Sequence, residues 1–214
     1  MNEKMNGKSR RSFCLKTASM IGSVFTGCNL SMAKSIKNPE IPLGFDNFSI
    51  RALGWKAPQF LTYAQSKKVD TVLFSDLDVY ESFDSNYLNE IKQEGKRMGI
   101  SIQAGTGGIC PTSKSFKSKY GSAEEHLRLL IRVAKDVGSS VARCYLGTMK
   151  DRHGKGGIQQ HITKTVQVLK KVKKYALDAG VKIAIENHAG DLHSLELVEL
   201  IEQAGKDYVG ATID

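Results

Sequence analysis

The chain has 214 residues, of which 41% are hydrophobic and 25% charged, and its formal net charge at pH 7 is +9. This length and composition predict one domain with a hydrophobic core. Residues 29–214 contain 26 basic and 21 acidic side chains, an excess of +5 that is spread over lysine-rich helices such as Lys170 to Lys174. Aromatic clusters of the kind used to stack single-stranded bases do not accompany this charge, which argues against a nucleic-acid partner.

The N-terminal residues 1–33 have the pattern of an export signal. A twin-arginine sequence, Ser9-Arg10-Arg11-Ser12-Phe13-Cys14-Leu15-Lys16, precedes an apolar stretch that is too short to span a bilayer. Cleavage before Cys28 would leave a lipid-anchored lipoprotein, whereas cleavage after Ala33 would release a periplasmic protein. The alternative is a disordered basic N-terminus. We therefore expect an exported bacterial protein with a linker at residues 34–42.

From Leu43 onward, short apolar runs alternate with segments of helical period, which predicts parallel βα units. Helices are expected from Ser122 to Gly138, with Glu125 completing a capping box, from about Gly157 to Ala179, and over Ser194–Ala204. Six strands are expected, over Leu43–Ser49, Thr71–Ser75, Ile100–Ala104, Ser140–Leu146, Val181–Glu186 and Val209–Asp214.

Loop lengths predict which end of the strands carries the function. The connections from helices to strands are very short, while the segments that leave the strands are long and rich in Gly, Ser, Asp and His. In parallel α/β folds the functional face lies at the carboxyl ends of the strands. We predict an incomplete TIM (β/α)8-type barrel of about six βα units over residues 43–214. A doubly wound open sheet is the alternative, but no Gly-x-Gly-x-x-Gly turn follows the first strand.

Two carboxylates end consecutive predicted strands. Glu186 and Asp214 each follow an apolar run, where an unpaired carboxylate would be costly. Neighbouring strands lie about 4.8 Å apart, so the two side chains can reach one metal ion. Oxygen ligands favour Mg²⁺ or Mn²⁺, with Zn²⁺ or Co²⁺ as alternatives. The simpler interpretation is that both acids cap the helices that follow.

Other polar residues are candidates for binding substrate at the same end. His188 lies two residues after Glu186 and should share its face. Arg143 alternates with apolar residues, so it should enter the barrel, where it meets substrate or pairs with a carboxylate such as Asp76 or Glu186. Asp76 follows the second strand and is a candidate to orient substrate.

Two further candidates lie in the loops. His153 belongs to the long loop after the fourth strand, and solvent exposure is its simpler explanation. Trp55 follows the first strand and is a candidate wall of a sugar pocket, or else a packed core residue.

Two segments carry a family resemblance. The sequences Ile185-Glu186-Asn187-His188-Ala189-Gly190-Asp191 and Val209-Gly210-Ala211-Thr212-Ile213-Asp214 resemble those of the sugar phosphate isomerase/epimerase family of xylose isomerase-like TIM barrels. The resemblance implies that Glu186 and Asp214 are metal ligands. It also implies a further histidine and glutamate from later strands, so we expect a C-terminally truncated member.

The function implied by the resemblance is a sugar isomerase or epimerase. Such an enzyme moves a proton next to a carbonyl through an enediolate, with Glu186 and His188 as catalytic candidates. Its partner would be a small sugar or sugar derivative, and a homo-oligomer is possible. The alternatives are a non-catalytic or inactive carbohydrate-binding barrel and an AP endonuclease-like metal hydrolase. The nuclease is disfavoured because the predicted second and third strand ends, Phe74-Ser75-Asp76 and Gln103-Ala104-Gly105, lack histidine.

Overall fold

The computed structural model describes residues 41–154 and 156–213. The predicted signal segment, the candidate lipid-bearing Cys28, residues 34–40 of the linker and the predicted metal ligand Asp214 lie outside this part of the chain. None of the described helices is long and apolar enough to cross a bilayer.

The described residues form one six-stranded parallel sheet whose strand order follows the chain. The strands are β1 (Gly44–Asp46), β2 (Thr71–Phe74), β3 (Ser101–Gly108), β4 (Val141–Tyr145), β5 (Lys182–Glu186) and β6 (Val209–Thr212). Each strand pairs with the next in parallel. Because every connection returns the chain to the same end of the sheet, all six carboxyl ends lie at one edge.

Five α-helices connect the strands. They are α1 (Ala57–Lys67), α2 (Ser85–Met98), α3 (Ala123–Val137), α4 (Gly157–Ala179) and α5 (Ser194–Ala204). The bounds predicted for α3, α4 and α5 are confirmed. The predicted apolar stripes of α3 and α4 are buried, for example at Leu130 and Leu169, which are both fully inaccessible to solvent. The helices therefore cover the sheet with one apolar face each.

Caps explain why α3 begins and ends where the sequence predicted. The Ser122 hydroxyl accepts from the amide of Glu125 at 3.3 Å, and the Glu125 carboxylate accepts from the amide of Ser122 at 2.7 Å. At the other end Gly138 adopts the left-handed conformation with a φ of 79°, which residues with a side chain rarely adopt. Local side-chain chemistry thus sets both ends of the helix.

Two strand predictions are wrong by three or four residues at the carboxyl end, and the predicted sixth strand also runs past its observed end at Thr212. The first strand stops at Asp46 instead of Ser49, because the Asp46 side chain accepts from the amide of Phe48 and starts a 3-10 helix over Asn47–Leu53. The third strand continues beyond Ala104 to Gly108, through a glycine-rich segment that the sequence suggested was a loop. It stays in the sheet because Gly108 pairs with Tyr145 at a place where a Cβ atom would lie 3.1 Å from the Leu146 carbonyl oxygen.

A close approach between β1 and β2 gives a test of the register. A Cβ atom on Gly44 would lie 2.3 Å from the carbonyl oxygen of Thr71, so Gly44→Ala must push the strands apart. We expect a loss of about 1–3 kcal/mol in the free energy of unfolding, measured by urea denaturation. The matched control is Gly210→Ala in β6, where nothing lies within 4 Å of the added Cβ. Equal losses in the two variants would contradict the register of β1.

Candidate active site

A cavity of about 410 Å³ opens at the carboxyl ends of the strands. Five strands contribute to its wall through residues at or just after their last positions, namely Asp46, Asp76, Gly108, Tyr145 and Glu186. The parallel topology brings these residues together although they are far apart in the sequence. The cavity occupies the edge of the sheet at which the sequence predicted the functional face.

A buried ion pair forms the floor of the cavity. Arg143 and Glu186 are only 6% and 5% exposed. Arg143 Nε donates to Glu186 Oε2 at 2.5 Å, and Arg143 Nη2 donates to Glu186 Oε1. This two-pronged geometry matches the planar guanidinium to the carboxylate and pairs both charges in a largely buried place.

The neighbouring strand β3 is shaped to accept the arginine. A β-bulge places Thr106 and Gly107 opposite the single residue Cys144, since Gly105 pairs with Arg143 and Gly108 with Tyr145. The bulged Thr106 offers its carbonyl oxygen to Arg143 Nη1 at 3.1 Å. Gly105 leaves room, because a Cβ atom there would lie 3.2 Å from Arg143 Cδ. The guanidinium is therefore held by two strands at once.

His188 lies beside this pair, as its spacing from Glu186 predicted. Its ring stacks on Tyr145 with a centroid separation of 3.9 Å and an angle of 12° between the planes. Its Nδ1 lies 3.4 Å from the carbonyl oxygen of Gly147. Burial raises the pKa of Tyr145 above its ordinary value, so its phenol stays protonated. Both rings line the same cavity as Glu186.

The opposite wall of the cavity is acidic. The Ser75 hydroxyl donates to Asp46 Oδ1 at 2.6 Å, and the amide of Asp78 donates to Asp76 Oδ1 at 2.8 Å. The Asp78 carboxylate accepts from Lys119 and Tyr120. Partial burial opposes ionisation, but these two contacts together hold the pKa of Asp78 below its ordinary value. They also tie the loop after β3 to the loop after β2.

A buried histidine from α3 completes this wall. His126 is 4% exposed, and its Nε2 lies 2.7 Å from Thr106 Oγ1. Burial lowers the pKa of His126, with Asp76 acting weakly in the opposite direction. The imidazole is therefore neutral near pH 7.

Buried and partly buried polar contacts join the loop after β4 to the loop after β5 and to the start of α5. Asp191, which is fully buried, accepts from the amide of Gly147 at 3.0 Å and from the amide of Leu192 at 2.6 Å. Arg152 donates to Glu196 at 2.6 and 2.9 Å and to the carbonyl oxygen of Asp191. These contacts fix the loop that carries His188.

The structure gathers most of the predicted site residues and separates two of them. Glu186, His188, Arg143 and Asp76 line the main cavity. Arg143 takes the ion-pair alternative with Glu186. His153 is exposed and lines a second cavity of about 530 Å³ beside it.

Trp55 lines neither of these two cavities, in contrast to the prediction of a sugar-pocket wall. It packs on Phe60 and Tyr63, with ring centroids 5.8 and 5.5 Å apart. The tryptophan thereby joins an aromatic cluster with these two residues of α1. This is the packed-core alternative that the sequence also allowed.

Sequence reasoning missed other residues of the cavity. Asp46 is an acid at a strand end, like Glu186. It was missed because the first strand was predicted to continue to Ser49. Tyr145 could have been found because it lies two residues after Arg143 on β4 and so shares its face. His126 interrupts the apolar stripe of α3, and this was the available signal for a buried polar group. Thr106 depends on a bulge that the sequence did not predict.

The described residues do not fit a metal ion by themselves. Within 41–154 and 156–213, no three His, Cys, Asp or Glu side chains are grouped so that they could hold one. Both oxygens of Glu186 accept from Arg143. The second predicted ligand, Asp214, lies outside the described residues.

Comparison with protein families identifies the fold. Residues 51–214 match the family model described as the xylose isomerase-like TIM barrel. The chain belongs to this family. No curated protein matches it at a significant level.

Solved structures of other proteins have a similar fold. A D-psicose 3-epimerase determined in the presence of D-fructose has a TM-score of 0.62 and 16% identity, covering 81% of this chain and 63% of that one. A D-allulose 3-epimerase from Methylomonas sp., in complex with D-allulose, has a TM-score of 0.59 and 17% identity, with coverage of 81% and 62%. An IolI protein with a bound zinc atom has a TM-score of 0.61 and 14% identity, with coverage of 80% and 62%.

These similarities confirm the predicted incomplete (β/α)8-type barrel. The chain spans somewhat less than two thirds of the length of these structures, and the described residues supply six of the eight strands of the barrel.

The buried pair at the cavity floor predicts strong energetic coupling. Arg143→Met leaves the Glu186 carboxylate buried without its partner, so we expect a loss of about 3–5 kcal/mol in the free energy of unfolding. The double variant Arg143→Met/Glu186→Leu should recover part of this loss, since neither charge is then buried alone. Urea denaturation of the parent, the two single variants and the double variant measures the coupling. Additive losses would contradict the pairing.

The buried Asp191 predicts a pH dependence of stability. Burial raises the pKa of Asp191 to about 6, against about 4 for an unfolded chain. Between these values the folded state binds more protons, so the free energy of unfolding should fall as the pH rises from about 4 to about 6. Asp191→Asn should flatten this slope by on the order of 2–3 kcal/mol in total, measured by urea denaturation across that range. The exposed Asp178→Asn is the control, and an identical slope in both variants would exclude Asp191 as the source.

Proposed function

We propose that this chain forms part of an exported, divalent-metal-dependent carbohydrate isomerase or epimerase that moves a proton next to a sugar carbonyl through an enediolate. One observation carries the proposal, namely that the Glu186 carboxylate is held in a fixed orientation at the floor of the strand-end cavity. A positioned carboxylate is the group that such proton transfer requires.

The size and lining of the cavity support the proposal of a small polyhydroxy substrate. Its volume of about 410 Å³ falls in the range of small-molecule sites. Its walls offer carboxylates from Asp46 and Asp76, the phenol of Tyr145 and the imidazole of His188. These groups suit the alternating hydroxyls of a sugar. The solved epimerases that share the fold were determined with D-fructose or D-allulose.

We assign the proton transfer to Glu186. An ionised carboxylate has about four lone-pair positions, and the two bonds from Arg143 use only two of them. The remaining positions are available to take a proton from the carbon next to the carbonyl. In this proposal Arg143 orients the carboxylate, while His188, whose ring is held in place by stacking on Tyr145, binds a hydroxyl or the developing enediolate oxygen through a ring nitrogen.

The metal requirement rests on the family resemblance. Glu186 and Asp214 are the proposed ligands from this chain, with Mn²⁺ or Mg²⁺ preferred and Zn²⁺ or Co²⁺ as alternatives. A bound ion would supply positive charge to an enediolate. The described residues alone do not fit an ion, so an ion bound through a remaining lone-pair position of Glu186 would need further ligands such as Asp214.

Export is proposed from the twin-arginine sequence at Ser9 to Lys16, which lies outside the described residues. A periplasmic enzyme and a lipoprotein anchored through Cys28 are both compatible with that sequence. The proposed substrate is a sugar or sugar derivative.

A second candidate function is a non-catalytic carbohydrate-binding barrel. The observation that favours it is the same ion pair, since a carboxylate neutralised by Arg143 can serve a purely structural purpose. The nuclease alternative is not favoured, since the residues at the ends of β2 and β3 in the described structure include no histidine.

Hydrogen–deuterium exchange separates the two functions. The complete enzyme of which this chain is proposed to form part, purified and incubated in D₂O with Mn²⁺ and D-fructose, should incorporate deuterium at the carbon next to the carbonyl, measured by NMR. Glu186→Gln should lower the exchange rate by about 100-fold or more, because the amide cannot accept the proton. Chelation of the metal with EDTA should abolish exchange, and added Mn²⁺ should restore it.

Glu202→Gln is the matched control, because Glu202 is an exposed residue of α5 that pairs with Lys206. It should leave the exchange rate unchanged. If D-fructose binds without exchange in the parent protein, the binding function is favoured. If Glu186→Gln exchanges as fast as the parent, Glu186 is not the base.

A further inference from the structure

The strongest unassigned feature is a chain of buried polar contacts that begins on α3 and ends at Glu186. His126 Nε2 contacts Thr106 Oγ1 at 2.7 Å, the Thr106 carbonyl oxygen accepts from Arg143 Nη1 at 3.1 Å, and Arg143 holds Glu186. Each of these four residues is between 2% and 6% exposed. The chain links a helix to three strands.

The bulge in β3 connects His126 with Arg143. In a regular strand the carbonyl groups engage the neighbouring strands, but the extra residue between Gly105 and Gly108 breaks the ladder there. The Thr106 carbonyl is thereby freed to accept from Arg143, while the Thr106 side chain reaches His126 on α3. A bulged residue without a side-chain anchor has fewer constraints on its orientation.

Within the described residues, the contact with Thr106 is the one hydrogen bond made by the ring of His126. Its Nδ1 is buried and has no hydrogen-bond partner among the described residues. The neutral tautomer of lowest free energy carries its proton on Nε2. This nitrogen donates to Thr106 Oγ1, and the unprotonated Nδ1 is an acceptor without a donor. An apolar residue would fill the same position in the buried stripe of α3 without leaving a polar atom unused.

We propose that His126 is a positioning residue that, through Thr106, fixes the bulge of β3 and thereby the orientation of the Arg143–Glu186 pair. The expected effect on kcat rests on the proposed function, whereas the expected effect on the Arg143 side chain does not. The hydrogen bonds of the described residues join His126 to Thr106 and Thr106 to Arg143, so the effect of His126 on the ion pair passes through Thr106.

The structural test follows the Arg143 side chain. The Nε–H proton of Arg143 is buried and bonded to Glu186, so its exchange with solvent should be slow and observable by NMR of arginine-labelled protein. His126→Leu and Thr106→Val each remove the His126–Thr106 bond, and each should speed this exchange by about tenfold or more. His126→Gln, whose amide nitrogen can replace Nε2, should restore slow exchange.

A second histidine of the fold provides a matched control. His161 on α4 is 7% exposed, and its Nδ1 contacts the hydroxyl of Thr112 at 2.9 Å. His161→Leu thus removes the same kind of buried bond, but one that does not lead to Arg143. It should lower stability without changing the Arg143 exchange rate.

The kinetic test uses deuterium incorporation into D-fructose. His126→Leu should lower kcat by about 10- to 100-fold with little change in KM, because a misplaced base slows the chemical step more than binding. His126→Gln should recover most of kcat. If the parent protein shows no exchange activity, the proposed function fails, while the Arg143 measurement still decides the positioning of the pair.

Three results would overturn the inference. The first is an Arg143 exchange rate that is unchanged in folded His126→Leu or Thr106→Val. The second is an equal acceleration in His161→Leu, which would show a general loss of stability. The third is a failure of His126→Gln to restore slow exchange. If His126→Leu does not fold, the comparison of Thr106→Val with Thr106→Ser, which retains the hydroxyl, decides the matter.

Discussion

Two opposite charges buried side by side constrain the whole strand-end region of this protein. Removing a carboxylate and a guanidinium from water costs several kcal/mol for each, and the cost is recovered only when geometry and further hydrogen bonds are good. Arg143 and Glu186 meet that condition because β4 and β5 bring them together and β3 adds a carbonyl oxygen. The bulge at Thr106, the missing side chain at Gly105 and the contact with His126 all support the same guanidinium.

This constraint connects architecture with chemistry. A parallel sheet delivers residues from separate βα units to one edge, but it does not orient them. Orientation comes here from contacts between units, such as the stacking of His188 on Tyr145 and the bonds of Asp78 to the loop after β3. The cavity therefore combines a rigid floor, formed by strands, with walls made of loops that brace one another.

The sequence predicted the repeating part of the structure well, because helix caps and apolar stripes are local signals. Ser122, Glu125 and Gly138 set the limits of α3 through contacts with their own neighbours. The sequence also placed Glu186 and His188 on one face, since two-residue spacing along a strand is geometric. It failed where distant residues decide the outcome. The continuation of β3 to Gly108 depends on pairing with Tyr145, and the partner of Arg143 depended on which carboxylate the fold brought near.

The joined loops after β4 and β5 also bear on how this barrel can diversify. Asp191 holds Gly147, and Arg152 holds Glu196, so an insertion in either loop would strain the other. Sequence change is tolerated best where few buried bonds cross between segments. The bond from Lys119 to Asp78 is exposed, so new substrate preferences would arise more readily from the loop at Lys117 and Lys119 than from the loop that carries His188.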